Sequence, residues 1–220
     1  MDNNKVWLDV PYKEKDEAKS LGARWDVDKK MWYVQNSKDL SKFKKWINDT
    51  VINIKAENPF YIAYGYRKCW KCGSATPVIA LCSENYKSLN VDINNKEQWV
   101  NEKGLVFFQY IKYLSDNIIK IINETFPFYK NGFSKFIQKK YWNNHCLKCS
   151  ALQGDNYLHD EYDSIFSPTT REEAEKVTLI EIELHKAIEM SGSYGYSSTN
   201  DLIETYSLKI TYNDFIKKKG

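Results

Sequence analysis

Two Cys-x-x-C pairs are the residues of this 220-residue chain whose types and spacing could do chemistry. They read Cys69-Trp70-Lys71-Cys72 and Cys146-Leu147-Lys148-Cys149. Two residues between thiols let both sulfurs point at one ion from a tight turn, and two such turns complete the tetrahedral four-thiolate site that structural Zn2+ prefers. The pattern therefore predicts a structural Zn2+ bound by Cys69, Cys72, Cys146 and Cys149.

Two other interpretations of the pairs stay open. A redox-active pair belongs at a strand-to-helix junction, where a helix N-terminus lowers the thiol pKa, whereas Cys72-Gly73 leads toward the strand pattern Pro77-Val78-Ile79. Alternatively, the pairs are unlinked and each needs further ligands. The 73 residues between them far exceed the roughly 15–20 of common zinc ribbons, so one shared ion requires the spacer to bring the pairs together. Whether one or two ions bind is left open.

The other candidate groups point to no recognisable reaction. Cys82 lies in a strand-like run and is predicted to be buried. His145 adjoins a ligand and His159 follows ten residues after Cys149, so either could support the site as a neighbouring group or an alternate ligand. An acidic cluster, which fits either a second cation or a solvated loop, comprises Asp155, His159, Asp160, Glu161 and Asp163. Phosphate-binding, nucleophile-elbow, H-E-x-x-H and dinucleotide motifs are missing from the sequence, so no catalytic residue is assigned and an unrecognised enzyme stays open.

Composition favours a soluble protein with an uneven charge. The chain is 42% hydrophobic and 28% charged, no apolar run approaches the roughly 20 residues that span a bilayer, and the N-terminus lacks the apolar stretch of a signal peptide. A cytoplasmic location without a membrane partner follows as the expectation. Residues 51–150 hold 14 Lys and Arg against 7 Asp and Glu, a net +7. Such a region attracts a polyanion such as nucleic acid, or it is a solvated lysine-rich surface.

The elements that must position these groups indicate an α+β protein. Residues 6–10 alternate like a strand, residues 13–21 suit a helix that ends at Gly22, residues 24–34 resemble a hairpin, and Ser37 could begin a second helix. Each Cys-x-x-C pair is expected to form a tight turn, called a knuckle here. Strands are expected on both sides of the first knuckle (Cys69 to Cys72) and before the second (Cys146 to Cys149). Apolar residues of 98–123 recur mostly at helical spacing, which predicts a helical insertion at about 85–140. Further on, a helix is expected from Thr169 or Thr170, then a strand at 177–184 and a loop at 191–198.

The N-terminal residues resemble a known small family. The resemblance rests on Trp7-Leu8-Asp9-Val10-Pro11-Tyr12, Leu21-Gly22-Ala23-Arg24-Trp25-Asp26 and Lys30-Met31-Trp32-Tyr33-Val34. Together they are similar to the DUF5710 domain, which occurs in TraC-type plasmid primases and in short bacterial and phage proteins. The hairpin is more loosely similar to the HARP module of annealing helicases. Both resemblances imply a setting of DNA transactions and no catalysis by this segment.

Aromatic and basic residues of the hairpin are its candidate contacts to nucleic acid: Arg24, Trp25, Lys29, Lys30, Trp32 and Tyr33. The cations could meet phosphates, and the aromatic rings could stack on bases at roughly 1–3 kcal/mol each. The alternative is that Trp25 and Trp32 form the core of a small unit. Asp26 and Asp28 also dilute the positive charge of the turn.

A second resemblance covers about residues 66–168. It rests on Cys69-Trp70-Lys71-Cys72-Gly73, Thr76-Pro77-Val78 and Asn144-His145-Cys146-Leu147-Lys148-Cys149. These are similar to uncharacterised bacterial zinc-ribbon-like proteins, which implies one zinc site with four cysteine ligands. Ser150 follows the fourth cysteine where that pattern has glycine, and serine tolerates the required turn less well.

The sequence thus predicts three regions and two leading functions. The regions are a DUF5710-like domain at 1–50, a zinc-ribbon-like domain at 58–168 with the helical insertion, and a C-terminal α/β extension at 169–220. The first function is a zinc-binding, non-enzymatic adaptor associated with nucleic acid, DNA or RNA, with DNA favoured. The alternative is a zinc-stabilised module that binds another protein and no nucleic acid.

Overall fold

The computed structural model describes residues 5–27, 31–35, 40–43, 46, 52–91, 96–161 and 164–219. The chain divides into two compact units, residues 1–50 and 51–220. Helices account for 25% of the described residues and strands for 48%. The α+β class is therefore confirmed, with strands dominating. No helix within the described ranges is long and apolar enough to cross a membrane.

The described residues of the N-terminal unit form a three-stranded antiparallel sheet with one short α-helix. Its elements are β1 (Lys5–Leu8), α1 (Lys15–Ser20), β2 (Arg24–Asp26) and β3 (Met31–Gln35). The strand order β1-β3-β2 confirms the predicted strand, helix and hairpin. Gly22 follows α1 with φ of +100°, the left-handed conformation that glycine adopts without strain. The core side chains are Leu8, Ala18, Ala23, Val34, Phe43 and Trp46. After the predicted start at Ser37, which lies outside the described residues, the chain shows a 3-10 turn at Leu40–Phe43.

In residues 51–220, the described part of the chain forms two sheets and four helices. The strands are β4 (Ile54–Lys68), β5 (Ala75–Val91), β6 (Glu97–Leu114), β7 (Tyr129–Ser134), β8 (Lys139–His145), β9 (Leu152–Gln153), β10 (Thr178–Ile182), β11 (Ile188–Gly195) and β12 (Leu208–Thr211). The helices are α2 (Asp116–Thr125), α3 (Arg171–Ala174), α4 (Ser198–Tyr206) and α5 (Tyr212–Lys219). A π-helical turn spans Asn156–Asp160.

The larger sheet has the order β11-β6-β5-β4-β10-β12, and it closes on itself. The first part of β4 pairs with β11 and the later part with β10. Because β11 also pairs with β6, β4, β5, β6 and β11 form a closed ring of strands. The smaller sheet has the order β7-β8-β9. Together the two sheets carry the hairpins that end in the cysteine knuckles.

The predicted helical insertion at about 85–140 is wrong for most of its length. Residues 85–91 continue β5, residues 97–114 are β6, and only α2 is helical within the predicted stretch. One physical reason lies in residues 105–108 of β6, which are buried on both faces, with Val106 and Phe108 in one hydrophobic cluster and Leu105 and Phe107 in another. A strand buried on both faces has a continuous apolar run, whose pattern does not differ from that of a buried helix.

The segment 169–220 completes the larger sheet. Thr170 begins α3 with a capping box, and β10 matches the predicted strand, so both expectations are confirmed. The predicted loop at 191–198 is wrong in its first part, because Ser191–Gly195 belongs to β11. Gly192 allows the backbone of β11 to pack closely against that of β6. A Cβ at this position would lie 2.9 Å from the carbonyl oxygen of Gln109.

Candidate metal centre

The two Cys-x-x-C pairs occupy two hairpin turns. The first turn, residues 69–74, joins β4 to β5, and the second, residues 146–151, joins β8 to β9. This is the strand-knuckle-strand arrangement predicted from the sequence. Neither turn leads into a helix, so the strand-to-helix junction that a thioredoxin-type redox pair uses is not present at either one.

The four sulfur atoms form one cluster, within 4.8 Å of one another. The Sγ atoms of Cys69 and Cys149 are 3.6 Å apart, and those of Cys72 and Cys146 are 3.8 Å apart. Four bonds of about 2.3 Å from a tetrahedral Zn2+ would place neighbouring sulfurs about 3.8 Å apart. All five cysteines of the chain are free thiols. The interpretation with two unlinked pairs is therefore wrong, and the cluster has the dimensions of a single metal site.

The two knuckles repeat one backbone pattern. In the first, the Gly73 N–H donates to the Cys69 carbonyl at 2.9 Å; in the second, the Ser150 N–H donates to the Cys146 carbonyl at 2.8 Å. Gly73 and Ser150 occupy equivalent positions, and their φ angles are +70° and +56°. The turn therefore needs a left-handed residue after the second cysteine, which glycine supplies freely and serine supplies with strain.

Hydrogen bonds lower the pKa of two of the four thiols and so favour their thiolate forms. The backbone N–H and side chain of Ser74 lower the pKa of Cys72 to about 6, and the backbone N–H groups of Cys149 and Lys148 lower the pKa of Cys146. At Cys149 the Ala151 N–H also lowers the pKa, but loss of solvation and the neighbouring thiols outweigh it and raise the value to about 11. Thiolates packed this closely repel one another, so full ionisation requires a cation between them.

Gln153 supports the cluster from the second hairpin, and the prediction from sequence did not assign it this role. Its buried side chain donates from Nε2 to the Cys69 sulfur at 3.4 Å and to the Ala151 carbonyl at 2.8 Å. Its Oε1 accepts from the Trp70 N–H at 3.4 Å. The Trp70 indole in turn donates to the Leu152 carbonyl at 2.6 Å. A hydrogen bond to a ligand sulfur orients the ligand and stabilises its charged form.

Asn144 and Thr76 join the two hairpins just behind the sulfurs, and neither was predicted as a functional residue. The Asn144 side chain accepts from the Ile79 N–H and donates to the Ile79 carbonyl, both at 2.8 Å. It thereby replaces a neighbouring strand along the edge of β5, beyond the point where the pairing of β5 with β6 ends at Leu81 and Phe108. The hydroxyl of Thr76 accepts from the Leu147 N–H at 3.2 Å. These hydrogen bonds connect residues up to 71 positions apart in the sequence. A local sequence pattern therefore could not predict them.

Cys82, His145 and His159 lie outside the cluster as buried or half-buried residues. Cys82 is fully buried in β5, which confirms the prediction, and burial raises its pKa strongly. The His159 ring lies 5.6 Å from that of Phe107 and 5.2 Å from that of Phe166, and burial lowers its pKa to about 3. His145 is half-buried, and its Nδ1 lies 3.2 Å from the Asn143 carbonyl oxygen.

The acidic cluster does not gather around His159. Within the described ranges, the group of His, Cys, Asp and Glu side chains that could hold a metal is the four cysteines. Asp155 is buried, while Asp160 and Glu161 are exposed. Asp163 lies outside the described residues. The structure thus offers one metal centre in its described part.

The candidate nucleic-acid contacts of the N-terminal hairpin lie on two faces. Trp25 is opposite Trp32, and Arg24 is opposite Tyr33. The Trp25 and Trp32 rings meet edge to face at 5.6 Å. Trp32 packs against the core, whereas Trp25 is 48% exposed. The remaining two candidates, Lys29 and Lys30, fall outside the described residues.

Comparison with known proteins identifies the N-terminal unit alone. Residues 5–48 match the family model described as Domain of unknown function (DUF5710), as the sequence predicted. Forty residues, 18% of this chain and 3% of the relative, are 60% identical to a protein named DNA primase TraC from Escherichia coli. A second DNA primase TraC from Escherichia coli is 49% identical over 45 residues, 20% of this chain and 4% of the relative.

The chain therefore corresponds to only 3–4% of the length of these curated relatives. No solved structure matches the chain. The DUF5710 match ends at residue 48, so the metal centre in residues 51–220 has to be interpreted from its own geometry.

Proposed function

We propose that this protein is a zinc-binding, non-enzymatic adaptor that associates with nucleic acid in the cytoplasm. The observation that carries the proposal is the four-sulfur cluster with tetrahedral spacing, framed by turns rich in lysine. A zinc ion held by four thiolates has no open coordination position. Such an ion fixes the turns in place and does not activate water, since catalytic zinc keeps a position for water or substrate.

The charge around the cluster favours a polyanionic partner. Six exposed lysines lie at or beside the two knuckles and the turn between β7 and β8: Lys68, Lys71, Lys135, Lys139, Lys140 and Lys148. The β7–β8 turn adjoins the first knuckle, because Lys135 and Trp70 line one cavity. Lysines grouped in this way neutralise phosphates and release counterions. The name DNA primase, carried by both relatives of the N-terminal unit, favours DNA over RNA.

The proposal includes the N-terminal hairpin as a second contact. Trp25, half-exposed beside Trp32, offers a ring face for base stacking, and Arg24, Lys29 and Lys30 supply positive charge. Charge reversal at Lys29 and Lys30 together should weaken nucleic-acid binding. An unchanged affinity would remove the hairpin from the interface.

Metal content is the first test. The purified protein should contain about one zinc per chain, as a single tetrahedral site requires. Cys146→Ser should lose that zinc, whereas Cys82→Ser should keep it, because Cys82 is buried away from the cluster. A chain without zinc, or a Cys146→Ser variant that retains it, would contradict the metal centre.

Salt-dependent binding tests the partner. The affinity for short DNA strands should fall as salt rises, and replacing Lys71, Lys135 and Lys148 by Glu should weaken binding and flatten this dependence by about 0.7 to 0.9 in log-log slope for each lost phosphate contact.

A matched control set carries the same charge change on exposed lysines of the C-terminal segment: Lys176, Lys186 and Lys218. It should bind almost like the natural protein. Equal losses in both sets would mean that net charge alone is responsible, and the proposed interface would fail.

A protein partner is the second candidate, because large apolar side chains are exposed around the same turns. Trp70 is 59%, Leu147 65% and Phe136 90% exposed, and exposed apolar groups of this size mark interaction sites when they are contiguous. Zinc without any nucleic-acid binding at low salt would favour this candidate over the first.

A further inference from the structure

A cavity of about 750 Å3 opens beside the first knuckle. It lies between that knuckle, β6, the β7–β8 turn and the segment that follows β9. Its volume falls within the range of about 300–1,000 Å3 that is typical of ligand sites. Six aromatic side chains line it: Trp70, Tyr110, Phe133, Phe136, Tyr141 and Tyr157. Flat rings on several sides suit a flat ligand that stacks.

Two of these walls are held in place by contacts outside the cavity. The Tyr157 hydroxyl donates to the Lys68 carbonyl at 2.6 Å, and the Arg67 guanidinium lies 4.0 Å from the centre of the Tyr157 ring. Trp70 is fixed by its hydrogen bond to the Leu152 carbonyl. The cavity is therefore pre-organised by the same hairpins that carry the cysteines.

A buried carboxylate also lines the cavity. Asp155 is 6% exposed, and its Oδ2 accepts from the Tyr110 N–H at 2.5 Å. Its Oδ1 makes no hydrogen bond to any other described residue. An oxygen of this largely buried carboxyl group that has no partner among the described residues is a point where a ligand donor would be favoured.

Tyr110 presents its N–H to Asp155 from an unusual backbone conformation. Its φ is +49°, in the middle of β6, next to the register shift between β6 and β11. A non-glycine residue in the left-handed region is uncommon, and such strained positions and bulges concentrate at functional sites. In this conformation the Tyr110 N–H points at Oδ2 of Asp155.

We propose that this cavity binds one unpaired guanine base of a single-stranded nucleic acid, with the ring stacked on the aromatic walls and its N1–H and 2-amino groups donating to the Asp155 carboxylate. The inference rests on the proposed function, since it assigns the base that the adaptor reads. Recognition of splayed-out bases by stacking and by hydrogen bonds to the pairing edge is a general mode of single-strand binding.

The chemistry of the cavity selects guanine over other ligands. Guanine alone among the common bases offers two adjacent N–H donors on its pairing edge, which match the two acceptor oxygens that Asp155 presents when it is ionised. Adenine, cytosine and thymine each present an acceptor beside their donor, and that acceptor would face Asp155. An organic cation would also pair with the carboxylate, and Glu161, which lines the cavity too, adds to that attraction. Lys135 in the lining and Lys71 on the adjoining knuckle give the phosphate of a strand a partner that a cation would lack.

The test compares single bases in a constant strand. A fluorescently labelled oligothymidine carries guanine, hypoxanthine, adenine or cytosine at its centre, and affinity is measured by fluorescence anisotropy. The guanine strand should bind about tenfold or more tightly than the adenine and cytosine strands, because adenine and cytosine each make one hydrogen bond fewer to the charged Asp155 carboxylate. Hypoxanthine, which lacks the 2-amino group, should fall between them.

Asp155→Asn supplies the matched variant. It should reduce binding of the guanine strand to the level of the adenine strand and leave the adenine strand unaffected. Phe136→Ala, a change at a 90% exposed ring, should weaken all strands alike, while Tyr113→Ala, an exposed aromatic outside the cavity, should change none. Circular dichroism and zinc content identify any variant that has failed to fold.

The outcomes separate this proposal from the function on which it rests. Equal binding of all four strands by the natural protein would overturn guanine recognition and leave the nucleic-acid adaptor intact. Guanine preference that survives in Asp155→Asn would overturn the role of the carboxylate. Binding of free GMP without binding of any strand would show that the guanine does not come from a nucleic-acid strand. That result would overturn both this proposal and the adaptor function.

Discussion

The left-handed residue after each cysteine pair allows a quantitative test of the knuckle geometry. Gly73 and Gly195 make a matched pair, because a Cβ added to either would meet no atom within 4 Å. They differ in backbone conformation, since Gly73 has φ of +70° and Gly195 has no positive φ. Replacing both in turn by alanine therefore separates backbone strain from steric contact.

The expected magnitudes follow from that difference. An L-residue in the left-handed region costs roughly 1–2 kcal/mol, whereas glycine-to-alanine replacement at a compatible position stabilises by about 0.4–1 kcal/mol through the unfolded chain. Gly73→Ala should thus lower the free energy of unfolding by about 1 kcal/mol, and Gly195→Ala should raise it by up to about 1 kcal/mol. Ser150, at +56°, predicts the reverse experiment: Ser150→Gly should stabilise by several tenths of a kcal/mol up to about 1 kcal/mol.

Urea unfolding of the zinc-loaded protein, monitored by tryptophan fluorescence, measures these differences. The order of stability should be Gly195→Ala and Ser150→Gly above the natural chain, and Gly73→Ala below it. The reasoning would be refuted by a Gly73→Ala variant as stable as Gly195→Ala, or by a Ser150→Gly variant less stable than the natural chain. Either result would mean that the knuckles do not require the left-handed conformation.

Three further predictions concern the metal, the link between hairpins and the buried carboxyl. Chelation of the metal should lower the free energy of unfolding by about 4 kcal/mol, the loop-closure value for a cross-link over some 70 residues, yet leave the β-sheet circular dichroism of the chain in place. Asn144→Ala should destabilise by about 3 kcal/mol, because it leaves two buried backbone groups without partners, and exposed Asn131→Ala should be neutral; equal effects on urea midpoints would contradict the link. Burial raises the pKa of Asp155 to about 7 from 3.8, so its stabilising neutral form is lost as pH rises through 7. The free energy of unfolding of Asp155→Asn, relative to that of the natural protein, should therefore increase by as much as about 4 kcal/mol between pH 4 and pH 8. A difference in the free energy of unfolding that stays constant with pH would contradict the raised pKa of Asp155.

The four-cysteine cluster was predictable from sequence because the geometry of each pair is local. Two intervening residues fix the distance between sulfurs in either pair, whatever the rest of the chain does. The residues that hold the pairs together were not predictable. Asn144 contacts Ile79 across 65 positions, and Gln153 reaches Cys69 across 84, so their roles exist only after the sheets have formed.

The error over β6 has a different cause. Apolar side chains at 105–108 point alternately into two hydrophobic clusters, so the strand has no polar face to reveal its period of two. Adjacent α2 has one apolar face through Ile118 and Ile122, and it is the part of the predicted insertion that is helical. Periodicity thus agrees with the structure for this one-sided helix and fails at residues 105–108, where both faces of the strand are covered.

The long spacer between the cysteine pairs has a physical consequence for the role of the metal. Small zinc modules depend on the ion to fold, because they lack a sufficient core. Here β5, β6, α2, β7 and β8 lie within the spacer and bury apolar side chains in the large cluster that also includes β4, β10 and β11. The sheet therefore brings the hairpins together, and Asn144 fixes them within hydrogen-bond distance. Under the proposed function, an ion bound to four pre-positioned sulfurs would cross-link two hairpins of a fold that already exists. Its expected effect is to hold the knuckle lysines and Trp70, a wall of the adjoining cavity, in fixed positions.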